Sequence, residues 1–225
     1  MPALTWLSRI ALTAGFCGLL AAAGDAYALA GEQNVPKLVS FGGACVNCDL
    51  NGRKLTGAKF LGCKFAGAHL SGADLRGAAF LGTNFIGADL SRADIRGATM
   101  VAARFMLANF SNASLEGLQA PGSDFVNADF TRASLDDAEM QGSNLTGVKA
   151  GDASFKDANF MGAKLTEGHF AKADFKDADL RRASLAGADL ALARNLTQHQ
   201  VDGACSDAKT RLPAGLSGRI CGDRH

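Results

Sequence analysis

One tryptophan, one tyrosine and 4 prolines in 225 residues are too few for an average mixed domain. A surplus of one charge is missing too, since 23 Lys and Arg stand against 22 Asp and Glu, a net +1. Such a chain lacks the long-range field that steers nucleic acid or an anionic membrane, and it lacks the acid excess of a DNA mimic. What is abundant is glycine, 27 residues, and phenylalanine, 14 residues, within a hydrophobic fraction of 48%. That fraction argues against disorder, and the bias argues for a repeat. At 23.2 kDa there is room for one domain with a real core.

Residues 1–30 read as an export signal. Arg9 precedes a small and apolar run from Ile10 to Ala23, and Ala28-Leu29-Ala30 fits signal peptidase cleavage before Gly31. A membrane anchor is the rival reading, but the run is shorter than the roughly 20 residues a spanning helix needs. Cys17 follows Phe16, where a lipid-attachment signal wants a small residue. The expectation is therefore a periplasmic or secreted protein with no membrane insertion after signal removal. Residues 31–45 are its lead-in.

From Leu50 to Leu190 every fifth residue is large and apolar at 27 of 29 positions, the exceptions being Ala120 and Ala150. Two residues before each of these the chain carries mostly alanine. Apolar positions thus alternate in spacings of two and three. A spacing of two puts side chains on one face of a strand, whereas a helix would scatter a period of five around its surface. The extra residue in each spacing of three turns a corner, so the chain coils around its own core.

The pentads AGAHL (66–70), SGADL (71–75), IGADL (86–90) and AGADL (186–190) resemble those of the pentapeptide repeat family. The resemblance covers about residues 46–195. It implies an all-β solenoid, a right-handed quadrilateral β-helix of about 7 coils of four pentapeptides, with positions four pentads apart stacked at roughly 4.8 Å. The two defects fit four sides on their own terms. Ala120 then lies between Met100 and Met140, and methionine is an adaptable filler. Ala150 lies between Phe130 and Phe170, with Val148 restoring volume beside it. Phe65, Phe85, Phe105 and Phe125 should form a ladder of rings.

Residues 196–225 are expected to be a cap helix and tail. Thr197 and Gln200 make a capping box, Leu196 and Val201 a hydrophobic staple, and Val201, Ala204, Cys205 and Ala208 one helical face that Leu212-Pro213 ends. Cys205 and Cys221 bracket a short segment, and a disulfide there would tie the tail to the cap. Cys45 and Cys48 have the spacing of a redox or zinc half-site, yet both occupy inward positions of the pentad pattern. Cys63 is inward as well, on the side of Cys45 one coil on. A Cys45–Cys63 bridge with Cys48 left over is one pairing among these three, and the connectivity stays open.

No catalytic, cofactor or metal constellation emerges. His69 and His169 lie five coils apart, about 24 Å. Asp74, Asp94, Asp174 and Asp179 occupy the outward position before the central residue, where the repeat normally carries Asp or Asn. What stands out is apolar character where water is expected. Leu61, Leu81, Val101 and Met161 share one outward column, and Ile86, Met106 and Val126 share the next, with Leu107 beside them. They should line a ridge along one corner that takes a protein partner or a second copy. The leading expectation is a non-catalytic exported scaffold mediating protein–protein interaction or self-association, without nucleic acid. The resemblance also admits a DNA-mimic topoisomerase inhibitor, opposed by export and by Arg76, Arg92, Arg96, Arg132, Lys172, Lys176, Arg181 and Arg182 among the acids. The third reading is an envelope thiol, redox or metal protein using Cys45 and Cys48.

Overall fold

The computed structural model describes residues 39–222. The signal segment 1–30, its cleavage point and lead-in residues 31–38 lie outside the described residues. Strands β1 (Val39–Phe41), β2 (Lys59–Leu61) and β3 (Ala79–Leu81) pair in parallel in that order, with Val39 opposite Lys59 and Lys59 opposite Ala79. The same step of four pentads continues as single bridges from Ala44↔Lys64 to Asp174↔Arg194. Four pentads close one coil, so the chain is a right-handed quadrilateral β-helix. Its ladder already begins at Val39, within the lead-in expected to precede it.

One pentad, Ala88–Arg92, shows how the repeat uses its five N–H groups. Asp89 N donates back to Ala68 O (2.9 Å), Leu90 N forward to Asn109 O (2.7 Å) and Arg92 N forward to Ser111 O (2.9 Å). Ala88 N closes the preceding corner on Phe85 O (3.0 Å). The fifth donor, Ser91 N, is taken by the Asp89 carboxylate (3.0 Å). Asp or Asn is favoured before the central residue because its short side chain folds over the corner and accepts that donor. The third corner residue has positive φ, 57° at Arg92, which is why glycine and asparagine are common there.

Met100, Ala120 and Met140 are fully buried on one side, on neighbouring rungs paired Thr99↔Gln119↔Glu139. Ala150 and Phe170 stack likewise along Asp129↔Lys149↔His169. Phe65, Phe85, Phe105 and Phe125 form the ring ladder, with centroids 4.8, 5.1 and 5.0 Å apart and planes within 11° of parallel. Burial of each Leu or Phe contributes roughly 1.5–3 kcal/mol.

The cap differs from expectation. Helix α1 spans only Gln198–Gly203, closed at its start by the Thr197–Gln200 capping box. It stops at Ala204, not at Leu212-Pro213, because the last coil offers unpaired backbone that an extended chain satisfies. Cys205 N donates to Ala183 O (2.9 Å), Leu185 N to Cys205 O (2.7 Å) and Arg211 N to Ala188 O (2.9 Å). Cys205 therefore belongs to a rung, and Ala208 is exposed, off any helical face. On the next side the Gln200 amide does a strand's work, donating to Phe175 O and Ala178 O (both 2.8 Å).

Core space is tight at Gly168. A Cβ built there would lie 2.5 Å from the Phe170 ring, whereas one at Gly151 meets nothing closer than 3.8 Å. Gly168→Ala should cost about 1–3 kcal/mol by overpacking, and Gly151→Ala should be tolerated. Chemical denaturation of the two variants checks this, and equal stabilities would contradict the packing.

Candidate interaction surface

The cysteines sit at the two ends. The sulfurs of Cys205 and Cys221 lie at disulfide-bonding distance, with Cα atoms 4.8 Å apart. At the other end Cys45 and Cys48 are at bonding distance, Cα to Cα 5.3 Å. Of the pairings left open among the three, the geometry brings Cys45 to Cys48 rather than to Cys63. Central residue and next small residue flank one corner, so Cys48 is the neighbour of Cys45. The Cys63 thiol is buried and donates to Gly42 O (3.0 Å). Among the described residues no group of three or more His, Cys, Asp or Glu side chains could hold a metal ion.

The four sides can be labelled by their strand triplets in one coil: A (83–85), B (88–90), C (93–95) and D (98–100), each recurring once per coil. Leu61, Leu81 and Val101 stack at the corner between D and A, with Leu61 opposite Leu81 and Val101 O accepting from Gly82 N. Met161 is three coils beyond Val101, past Pro121 and Gln141. Ile86, Met106 and Val126 stack at the corner between A and B, their carbonyls accepting from Gly67, Gly87 and Leu107. The expected single ridge is therefore two ridges, because each pentad advances the chain by a quarter turn. They flank side A like rails.

Exposure separates the members. Leu107 is 62% exposed, Leu81 39% and Met161 38%, whereas Leu61, Val101, Ile86, Met106 and Val126 are half-buried against their column neighbours. Leu107 holds φ 60°, in the left-handed region that a γ-branched side chain disfavours by about 1 kcal/mol.

Charge is also sorted by side, which the whole-chain total conceals. On side A the outward strand positions hold Lys64, Arg104 and Lys164 against one acid, Asp124. Side B holds two cations, Lys149 and Arg211, among Asp49, Asp89, Asp129 and Asp189, and Arg211 is paired with Asp189 (2.9 Å). On sides C and D acids outnumber cations by one, and several are already paired. Arg76 and Arg96 each clasp the aspartate two residues earlier, Asp74 (2.7 Å) and Asp94 (2.5 Å), and Arg181 does the same to Asp179 (2.6 Å). Lys64, Arg104 and Lys164 have no ion pair among the described residues and are exposed. Asn84, Asp124 and Asn144 of that side fold over corners: Asn84 accepts from Ile86 N (3.0 Å), Asp124 from Val126 N (3.2 Å) and Asn144 from Thr146 N (3.2 Å). Lysine and arginine cannot accept that bond.

A family model described as pentapeptide repeats matches the chain in eight copies over residues 45–80, 63–101, 108–147 and 152–194. The chain belongs to the pentapeptide repeat family. No curated protein matches it by sequence. Among solved structures it is similar to HetL, a pentapeptide repeat protein involved in heterocyst differentiation regulation from the cyanobacterium Nostoc, at 27% identity over 84% of this chain and 94% of that one, with a TM-score of 0.45. It is similar as well to QnrB1, a plasmid-mediated fluoroquinolone resistance protein, at 22% identity over 76% of this chain and 93% of that one, with a TM-score of 0.49. A third is a pentapeptide repeat protein of the Arabidopsis thaliana thylakoid lumen, at 22% identity over 53% of this chain and 80% of that one, with a TM-score of 0.32.

The Asp–Arg clasps make a pH prediction. Hydrogen bonds from Arg76 hold the Asp74 carboxyl at about 2, below the roughly 3.9 of an unfolded chain. The folded value is depressed, so its stabilising contribution is present above about pH 4 and is lost as pH falls toward 2. Carboxyl NMR titration should find Asp74 low in the native protein and back near the ordinary value in Arg76→Gln. An unchanged midpoint in the variant would show that the clasp does not act.

Proposed function

We propose that this pentapeptide repeat protein is a non-catalytic, exported scaffold that binds another protein along side A. Export rests on Arg9, the run Ile10–Ala23 and the Ala28-Leu29-Ala30 site. The scaffold role rests on a rod whose interior is occupied by its own Leu, Phe and Ala side chains, leaving its chemistry to the outer faces. Among the described residues no helix is long and apolar enough to cross a membrane.

The observation that carries the binding side is Leu107. Most corners with positive φ use glycine or a polar residue, whereas here a large apolar side chain is held in a disfavoured backbone state and pointed at water. A residue that destabilises the fold twice, by its conformation and by its exposure, is explained by a contact outside the fold. Met106 and Ile86 beside it, with Leu81 and Val101 across side A, complete a surface that a partner can bury.

Leu107→Gly separates this reading from a structural role. Glycine suits φ 60°, so thermal stability should rise slightly or hold, while recovery of the cross-linked protein partner from intact native cells falls severalfold. Leu81→Lys should lower recovery as well. Undiminished recovery with both changes would remove side A as the binding surface.

A further inference from the structure

We propose that the partner on side A is an acidic protein, whose carboxylates meet Lys64, Arg104 and Lys164 while its apolar side chains meet the two rails. This deepens the reading of side A as the binding surface and rests on it.

The charge column supplies the chemistry. Side A is the one side on which cations outnumber acids at the outward strand positions, and these cations lack ion pairs among the described residues. On sides C and D Arg76, Arg96 and Arg181 are neutralised within the fold by Asp74, Asp94 and Asp179. Each cation also occupies a position where Asp or Asn would have accepted a corner N–H, so it forgoes that bond. Arg104 lies between Val101 and Met106 of the two ridges, Lys64 beside Leu61 and Lys164 beside Met161. Unpaired charge beside apolar ridges is the arrangement of an interface whose ridges supply contact area and whose charges select the partner. Coils repeat at about 4.8 Å, which sets Lys64 and Arg104 about 10 Å apart and Arg104 and Lys164 about 14 Å apart along the rod. The partner's acidic groups should match those intervals.

A second copy fits less well. The antiparallel register that pairs Arg104 with Asp124 twice sets Lys64 against Lys164 twice, so attraction and repulsion offset. Nucleic acid would meet the cations but would leave Leu81, Leu107 and Ile86 without apolar contact.

The test uses the full chain in its native cells, with a photo-crosslinking amino acid in place of Leu81 or, as a control on side C, Ser134. The expected result is a protein adduct from position 81 whose cross-linked peptides are rich in Asp and Glu. Arg104→Glu with Lys164→Glu should reduce that adduct at least about fivefold, high salt should do likewise, and Lys149→Glu on side B should leave it unchanged. Circular dichroism of each variant confirms the fold. An adduct at position 81 that ignores the two charge reversals keeps the binding side and overturns the acidic partner. Capture of a second copy, or a nuclease-sensitive adduct, overturns it too. No enrichment at 81 over 134 overturns both readings.

Discussion

The parallel backbone ladder, stepping by four pentads, is the constraint on which the molecule depends. Because Asn84 lies between Lys64 and Arg104, and each of these between its own neighbours, every side chain is stacked on the residue one coil away. A parallel in-register stack gives each position the same environment over and over. It therefore rewards a column of rings, as from Phe65 to Phe125, and it penalises a column of like charges. The inner columns follow the first rule. On side C the stacked Asp74 and Asp94 escape the second through arginine, with Arg76 placed between both carboxylates at 2.7 and 3.5 Å.

The inner half of the molecule was legible in the amino-acid order because one number, the period of five, governs it. Met100, Ala120 and Met140 show why: a missing volume is compensated only by residues that touch it, so the offset of the compensation is the length of a coil. The ends were less legible, since the period stops there and competing interactions decide. The Thr197–Gln200 box correctly marked where α1 begins, but the helix end was set by the unpaired last rung that Cys205 and Arg211 occupy. At the other end, inward position alone did not rank Cys48 above Cys63 as neighbour of Cys45; the corner between them does.

The interaction surface was half visible. Apolar residues announce themselves at outward positions, and their column membership follows from counting in whole coils. Their division into two rails needed the quarter turn per pentad to be applied as well. The basic column of side A escaped notice because charge was summed over the chain, where Lys64, Arg104 and Lys164 are cancelled by aspartates on side B. Sorting the same residues by their place within the coil would have revealed it. The role of aspartate at the corner was likewise visible as a preference, but its reason, an N–H the ladder does not use, is a matter of geometry.

The closed end of the rod bears on how such a molecule can be assembled into anything larger. A parallel coil is by construction a segment of a longer polymer, and identical units would concatenate if the last rung stayed open. Here Gln200, Cys205 and Arg211 consume that rung's carbonyls and amides within the same molecule. Growth along the axis at this terminus is thereby blocked. At this end a partner can approach only broadside, along faces whose rungs repeat at about 4.8 Å and so act as a ruler.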